Sequence, residues 1–250
     1  MAARRAIIIG ASSGIGHSLA IELANRNWKV AVAARREDRL IELCEAHKSI
    51  DAYHVIDVRS VDDARKLEAI LTGFDSVDAV VISAGVGDVN KSLERDLELS
   101  TIATNVTGFT VMAATAARYF EGSNLSLGSK DGVLVGISSI AGCAGSGDAT
   151  SYAATKAYQS NYLQGLRLRW MKRKLPLQAL DVRPGFVDTA MAKGDGNGGG
   201  LFWVSKPEIA ARQIANGIEN KRAVIYVTKR WRIVSWLLAL LPERVLARLG

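Results

Sequence analysis

The chain has 250 residues and a mass of 26.8 kDa, which fits one large α/β domain with a full hydrophobic core. Hydrophobic residues make up 48% and charged residues 23%, which excludes a disordered chain, and the two cysteines and three histidines are too few for a disulfide framework or a zinc site. The low cysteine count favours a reducing, cytoplasmic setting. The net charge of +7 comes without an aromatic and basic recognition stripe, so we expect no nucleic-acid partner.

Apolar runs of strand length recur along the chain, and most precede a segment with helical periodicity. The pattern predicts strands at residues 5–9, 29–34, 52–56, 79–83, 132–138, 177–183 and 223–228. It predicts helices at residues 15–26, 37–47, 61–71, 92–120, 151–172 and 206–220. The continuous β-branched runs indicate strands buried on both faces. We therefore predict a Rossmann-type, doubly wound fold, with a mainly parallel seven-stranded sheet between helices.

The predicted strands and helices run through residues 1–228 without an internal boundary, so we expect one domain followed by a tail at 229–250. The glycine-rich stretch 194–200 has apolar flanks and predicts a lid at about 189–206, with a disordered surface loop as the alternative. A signal peptide is not expected, since its cleavage would destroy the first strand. No window reaches the roughly 18 apolar residues that span a bilayer.

A glycine-rich loop lies between the first strand and the first helix. In this context glycines let the backbone approach a pyrophosphate, and the helix N-terminus offers N–H groups and positive potential. The predicted cofactor-binding residues of the loop are Gly10, Ser12, Ser13, Gly14, Ile15 and Gly16.

Two arginines, Arg35 and Arg36, follow the second predicted strand, where an NAD-binding fold usually places an acidic residue for the ribose hydroxyls. A guanidinium suits a 2′-phosphate through charge-assisted hydrogen bonds. We therefore expect NADP(H) to be preferred over NAD(H). Glu37 and Asp38 fit better as first-turn residues of the next helix.

Tyr152 and Lys156 are four residues apart on one predicted helix and share a face. A phenol has a pKa near 10, so it serves as an acid or base only beside a cation such as the Lys156 ammonium. Ser139 follows the preceding strand, close enough to meet the same substrate. The three residues predict a site that exchanges a proton with a substrate oxygen.

With these features the chain resembles the short-chain dehydrogenase/reductase family over about residues 5–228. The resemblance implies a nicotinamide-dependent enzyme that interconverts a small-molecule ketone and a secondary alcohol. It rests on Gly10-x3-Gly14-x-Gly16, Asp57-Val58, Ala84-Gly85, Asn105, Ser139, Tyr152-x3-Lys156 and Pro184-Gly185-x3-Thr189.

The resemblance implies a role for each of four catalytic residues. Tyr152 would donate the proton to the carbonyl oxygen, and Lys156 would lower the pKa of that phenol and hold the nicotinamide ribose. Ser139 would hydrogen-bond the substrate oxygen. Asn105 would position a water that links Lys156 to solvent.

Further cofactor contacts are implied by the resemblance alone. Asp57 and Val58 would meet the adenine ring, and Ala84 and Gly85 would pass beneath the adenine ribose. Val187 and Thr189 would face the carboxamide. The residues concerned are Asp57, Val58, Ala84, Gly85, Pro184, Gly185, Val187 and Thr189.

The tail, residues 229–250, is basic and apolar and too short to span a bilayer. It fits either a helix lying in a membrane interface or one docked on the same or a partner subunit. It resembles the tails of family members that act on lipid-linked or long-chain substrates, such as decaprenylphosphoryl keto-ribose reductases. This similarity favours a hydrophobic substrate and an enzyme peripheral to the membrane.

Two other functions remain open at this point. One is a 3-oxoacyl thioester reductase of fatty-acid type, and the other is a non-catalytic protein that senses or scaffolds through a bound dinucleotide. The family resemblance also implies a homodimer or homotetramer, formed through the helices predicted at 92–120 and 151–172.

Overall fold

The computed structural model describes residues 3–60, 62–127, 131–189 and 203–247. Most of the lid predicted at about 189–206 lies outside these residues, as does the end of the tail at 248–250. Both predictions therefore stay predictions.

Seven strands form a single sheet in the order β3-β2-β1-β4-β5-β6-β7. All neighbouring strands are parallel. The strands are β1 Arg5–Ile9, β2 Lys29–Ala34, β3 Ile50–Val55, β4 Ala79–Ile82, β5 Gly132–Ile137, β6 Leu177–Pro184 and β7 Val224–Val227. The predicted parallel, doubly wound fold is confirmed.

The helices connect the strands and cover both faces of the sheet. They are α1 Gly14–Asn25, α2 Glu37–Ala46, α3 Asp63–Gly73, α4 Arg95–Ile102, α5 Phe109–Leu127, α6 Thr150–Lys172, α7 Pro207–Glu219, α8 Trp231–Leu240 and α9 Glu243–Leu246. The long helix predicted at 92–120 is instead α4 and α5, joined by the π-helical turn Ala103–Gly108. At that turn a Cβ on Gly108 would lie 2.7 Å from the Val58 carbonyl oxygen, so close backbone packing accompanies the irregularity.

The hydrophobic core consists of two layers, because alternate residues of each strand point to opposite faces of the sheet. Ile8 of β1 packs in the layer beneath α1, α2 and α7, whereas Ile7 and Ile9 pack in the layer beneath α3, α5 and α6. All three isoleucines are fully buried. This explains the continuous apolar strand sequences.

Strands β1 and β4 are neighbours although β2 and β3 lie between them in the sequence. The chain thus changes direction at this point, and a crevice opens at the carboxyl ends of the two strands. The amides of Ser83 and Ala84 both donate to the Ile9 carbonyl, at 2.8 and 3.0 Å. Gly10 has φ +92°, and a Cβ there would lie 2.4 Å from the Ala84 nitrogen, so the crossing requires glycine.

Helix α8 packs on the body of the same subunit. Trp231 is 1% exposed, and its ring lies 5.6 Å from that of Phe186. A Cβ on Gly185 would lie 2.0 Å from the Trp231 indole, so the indole rests directly on this glycine. No helix among the described residues is long and apolar enough to cross a membrane.

Candidate active site

A cavity of about 530 Å³ opens at the carboxyl ends of the strands. The predicted site residues that line it are Gly10, Ser12, Ser13, Gly14, Ile15, Arg35, Arg36, Asp57, Val58, Ala84, Gly85, Ser139, Tyr152, Lys156, Pro184, Gly185, Val187 and Thr189. Gly16 and Asn105 are the two predicted residues that lie behind this surface. The fold thus brings together segments that are far apart in the sequence.

Gly16 contributes to the loop by its size. A Cβ on Gly16 would lie 2.3 Å from the Gly10 carbonyl oxygen and 3.1 Å from the Ser83 hydroxyl. Glycine at this position lets the first turn of α1 pack against the end of β1. The loop therefore keeps its path along the cavity wall.

Arg36 spans the glycine loop. Its Nη2 donates to the Ser13 hydroxyl at 2.7 Å and to the Ser12 hydroxyl at 2.9 Å. Ser13 precedes α1, but its side chain does not cap that helix. The guanidinium and the N-terminus of α1 therefore meet at one end of the cavity, and together they make that end positive. Arg35 lines the same end and is exposed.

Asp57 is paired with a residue that the sequence analysis missed. Arg59 donates to its carboxylate from Nη2 at 2.6 Å and from Nε at 3.0 Å. The hydrogen bond from Arg59 lowers the pKa of Asp57, so the carboxylate stays ionised. Arg59 also lines the cavity. Its spacing from Asp57 could have suggested the pair.

Ser139 and Tyr152 line the same cavity wall, and the Ser139 side chain lies close enough to the phenol to act on its pKa. Ser139 follows β5 and caps a short turn, where its Oγ accepts from the Ala141 amide at 3.1 Å. Its Oγ also lies 3.4 Å from the Pro184 carbonyl oxygen. A Cβ on Gly87 would lie 2.6 Å from the Tyr152 ring, so the loop after β4 holds the ring from the other side.

Burial raises the pKa of the Tyr152 phenol, and the hydrogen bond with Ser139 opposes this rise. From the sequence we expect Lys156 to lower this pKa. In the structure burial outweighs the opposing contribution, so the phenol is protonated at neutral pH.

Lys156 is buried one helical turn from Tyr152. Its Nζ donates to the Ile137 carbonyl at 2.8 Å and to Gln159 Oε1 at 3.0 Å, and it lies 5.7 Å from the centre of the Tyr152 ring. Burial lowers the pKa of Lys156 to about 8, although Asp181 opposes this shift. The two hydrogen bonds thus hold the ammonium in place, and its charge is lost as the pH rises through about 8.

Asn105 lies in the π-helical turn and is fully buried. Its Oδ1 accepts from the Val86 amide at 3.0 Å, and its Nδ2 donates to the Val86 carbonyl at 2.7 Å and to Thr155 Oγ1 at 3.1 Å. Its side chain therefore braces the loop after β4. The Asn105 carbonyl accepts from Gln159 Nε2 at 2.9 Å. Sequence reasoning missed Gln159, three residues beyond Lys156 on α6.

Comparison with known proteins identifies the family. The profile of the short chain dehydrogenases matches residues 4–198. This chain belongs to the short-chain dehydrogenase/reductase family. It is therefore an NAD(P)-dependent oxidoreductase that acts on a small molecule, as its cavity and glycine loop predict.

Three proteins illustrate what this chain is similar to. An uncharacterized oxidoreductase of Myxococcus xanthus is 33% identical over 202 residues, covering 76% of this chain and 75% of the relative. An 11-beta-hydroxysteroid dehydrogenase 1A of Arabidopsis thaliana is 29% identical, covering 96% and 72%. The crystal structure of a variant actinorhodin polyketide ketoreductase with NADPH has a TM-score of 0.78 at 24% identity, covering 90% and 95%. The last comparison shows a shared fold.

Proposed function

We propose that this short-chain dehydrogenase/reductase uses NADPH to reduce a hydrophobic ketone to a secondary alcohol, with Tyr152 as the proton donor. The observation that carries the proposal is that Ser139, Tyr152 and Lys156 line the same cavity as the glycine loop, with the Lys156 ammonium 5.7 Å from the centre of the Tyr152 ring.

The residues of the cavity fit a nicotinamide dinucleotide. The N-terminus of α1 carries no side-chain cap from Ser13, and a helix N-terminus of this kind suits a pyrophosphate. A Cβ on Gly14 would lie 3.2 Å from the Thr189 side chain, and one on Gly85 would lie 3.4 Å from Lys156 Nζ. Glycine at both positions therefore lets the Thr189 side chain and the Lys156 ammonium lie close to the backbone of the cavity wall. When bound, the cofactor supplies the hydride.

Arg36 supports a preference for NADPH over NADH. Its hydrogen bonds to Ser12 and Ser13 hold the guanidinium at the loop. A positioned guanidinium loses less conformational entropy when it binds a phosphate. The structure of the variant actinorhodin polyketide ketoreductase contains NADPH, which agrees with this preference.

The protonated state of the Tyr152 phenol fits a proton donor in the reductive direction. A protonated phenol donates its proton to the substrate oxygen as negative charge develops there. The Ser139 hydroxyl would donate a second hydrogen bond to the same oxygen and stabilise that charge. Lys156 would hold a positive charge near the phenolate that remains.

An apolar group of residues supports a hydrophobic substrate. They line the same cavity as Ser139 and Tyr152: Val89, Ile140, Ala141 and Phe186. The names of the steroid dehydrogenase and polyketide ketoreductase relatives agree with a substrate of this class.

A substrate panel tests the proposal. The purified enzyme is assayed for NADPH oxidation with free hydrophobic ketones and, in parallel, with 3-oxoacyl thioesters. Faster turnover of free ketones supports the proposal, and preference for thioesters favours the fatty-acid type of reductase. Tight NADPH binding without turnover of any carbonyl would instead indicate a dinucleotide sensor.

We also infer a homodimer or homotetramer that forms through α5 and α6. Three large apolar side chains of α6 support this inference, since Tyr158, Leu168 and Met171 are 37%, 59% and 66% exposed. Light scattering of the purified protein measures the mass. A pure monomer at micromolar concentration would contradict the inference.

The outer surface of α8 supports peripheral association of a cytoplasmic enzyme with an anionic membrane. Ile233, Trp236, Leu237 and Leu240 are 69%, 68%, 56% and 77% exposed and form one apolar stripe. Lys229, Arg230 and Arg232 are exposed at the start of the helix, where they would meet lipid phosphates.

Vesicle flotation tests this association. The protein should float with vesicles that contain phosphatidylglycerol, less so with pure phosphatidylcholine, and Trp236→Ala should abolish flotation. Equal flotation of the wild type and Trp236→Ala would reject the membrane contact. Loss of a dimer in Trp236→Ala would show that the apolar stripe contacts a second copy of the chain.

A further inference from the structure

The Gln159 side chain links two segments beneath the candidate active site. It is 1% exposed, and its two polar atoms face different partners. Nε2 donates to the Asn105 carbonyl at 2.9 Å, and Oε1 accepts from Lys156 Nζ at 3.0 Å. Through these two hydrogen bonds, Gln159 on α6 connects the π-helical turn to the Lys156 ammonium.

The chemistry of the partners allows one orientation of this amide. The Asn105 carbonyl is only an acceptor, and the Lys156 ammonium is only a donor. A flipped amide would place an NH₂ against the ammonium and an oxygen against the carbonyl. Both contacts would be repulsive in a buried site, so the Gln159 amide is locked.

We propose that Gln159 is a positioning residue for the reaction proposed above, which holds the Lys156 ammonium charged and aimed at the site through a fixed link to the Asn105 backbone. The inference rests on that proposed function for its role in turnover. The link itself belongs to the protein and can be tested without substrate or cofactor.

Few other groups can hold the Lys156 ammonium charged and in position. Besides Gln159, the Nζ of Lys156 donates to a neutral acceptor, the Ile137 carbonyl on β5. The titratable groups that face it are Tyr152 on α6 and Asp181 on β6. The Asp181 carboxylate is itself shared between the Ser138 hydroxyl and Arg183 Nε, the latter at 2.7 Å. Within the described residues, Gln159 is therefore the one side chain that accepts a hydrogen bond from the ammonium.

The test is a nitrogen-15 lysine NMR titration of the cofactor-free protein. The Lys156 signal is assigned by its disappearance in Lys156→Ala. In Gln159→Leu the ammonium loses a charge-assisted acceptor, so its pKa should fall by about one unit. Leu163→Ala is the control, because Leu163 is fully buried one turn farther along α6 and truncation there loosens packing without removing a polar partner.

An unchanged Lys156 pKa in Gln159→Leu, or an equal fall in Leu163→Ala, would overturn the proposal. Should Gln159→Leu fail to fold, Gln159→Met keeps the volume and carries the same expectation. Turnover is measured separately with the substrate panel. A shifted pKa together with an inactive wild-type enzyme would reject the proposed function and leave the Gln159 link established, so the two failures are distinguishable.

Discussion

The Lys156 ammonium lies 5.7 Å from the centre of the Tyr152 ring, while two of its hydrogen bonds run away from that ring to Ile137 and Gln159. The ammonium is thus fixed beside the phenol by other partners. Its charge at the working pH depends on burial, which lowers the pKa of Lys156 to about 8.

The first prediction concerns pH. Lys156 is charged below its folded pKa of about 8 and neutral above it. The value of kcat/KM for NADPH reports the free enzyme, so it should be level near pH 7 and fall as pH rises through about 8. A profile that stays level to about pH 10, the usual lysine range, would show that this charge is not needed.

The second prediction concerns Ser139. Ser139→Ala removes a donor aimed at the substrate oxygen, so kcat should fall by about 10²–10³-fold. NADPH affinity should change little, because the hydroxyl contacts Tyr152 and the Pro184 carbonyl at the substrate end. Steady-state kinetics and a fluorescence titration separate the two effects. A variant with full kcat would remove Ser139 from the mechanism.

The third prediction concerns the cofactor. Arg36→Ala should weaken NADPH binding by about tenfold or more, since it removes a charge-assisted contact, and should leave NADH binding nearly unchanged. Arg39→Ala is the matched control, because Arg39 is exposed on the neighbouring α2. Quenching of tryptophan fluorescence measures both affinities. An equal loss for NADPH and NADH would contradict the assignment of Arg36 to the 2′-phosphate.

The fourth prediction concerns the glycine loop. Gly16→Ala would place a methyl group 2.3 Å from the Gly10 carbonyl oxygen, so the loop must move and cofactor binding should be lost. Gly73→Ala meets nothing within 4 Å and should change the free energy of unfolding by less than about 0.5 kcal/mol. Isothermal titration with NADPH and thermal unfolding compare the two. Normal binding by Gly16→Ala would refute the tight contact.

The fifth prediction concerns the two tryptophans of α8. Trp231→Ala should lower the free energy of unfolding by about 3–5 kcal/mol, because the indole is fully buried against Gly185 and Phe186. Trp236→Ala, with a side chain 68% exposed, should change it by less than about 0.5 kcal/mol. Denaturant titrations measure both. Similar effects would mean that α8 does not dock as described.

Local patterns in the sequence were enough to predict the sheet and three residues of the site. Continuous β-branched strands follow from burial on both faces, and the spacing of Tyr152 and Lys156 follows from helix periodicity. The prediction of Ser139 follows from its position after a strand whose carboxyl end faces the cavity. These features depend on neighbours in the chain, which a sequence displays directly.

The features that the sequence did not reveal depend on contacts between distant segments. Gln159 matters because its amide reaches the Asn105 carbonyl, 54 positions away. The break in the helix predicted at 92–120 accompanies the packing of Gly108 on Val58. Helical periodicity assigns Gln159 and Gly108 to a face of a helix, but the partner on that face is set by the tertiary fold.

The central claim is that Tyr152 donates the proton in a ketone reduction driven by NADPH. The most direct test compares wild type with Tyr152→Phe, using one ketone that the panel shows to be a substrate, after an NADPH titration of both proteins. We expect equal NADPH affinity and a fall in kcat of at least about 10²-fold, because phenylalanine keeps the ring and removes only the hydroxyl. Full activity in Tyr152→Phe would contradict the proton-donor assignment.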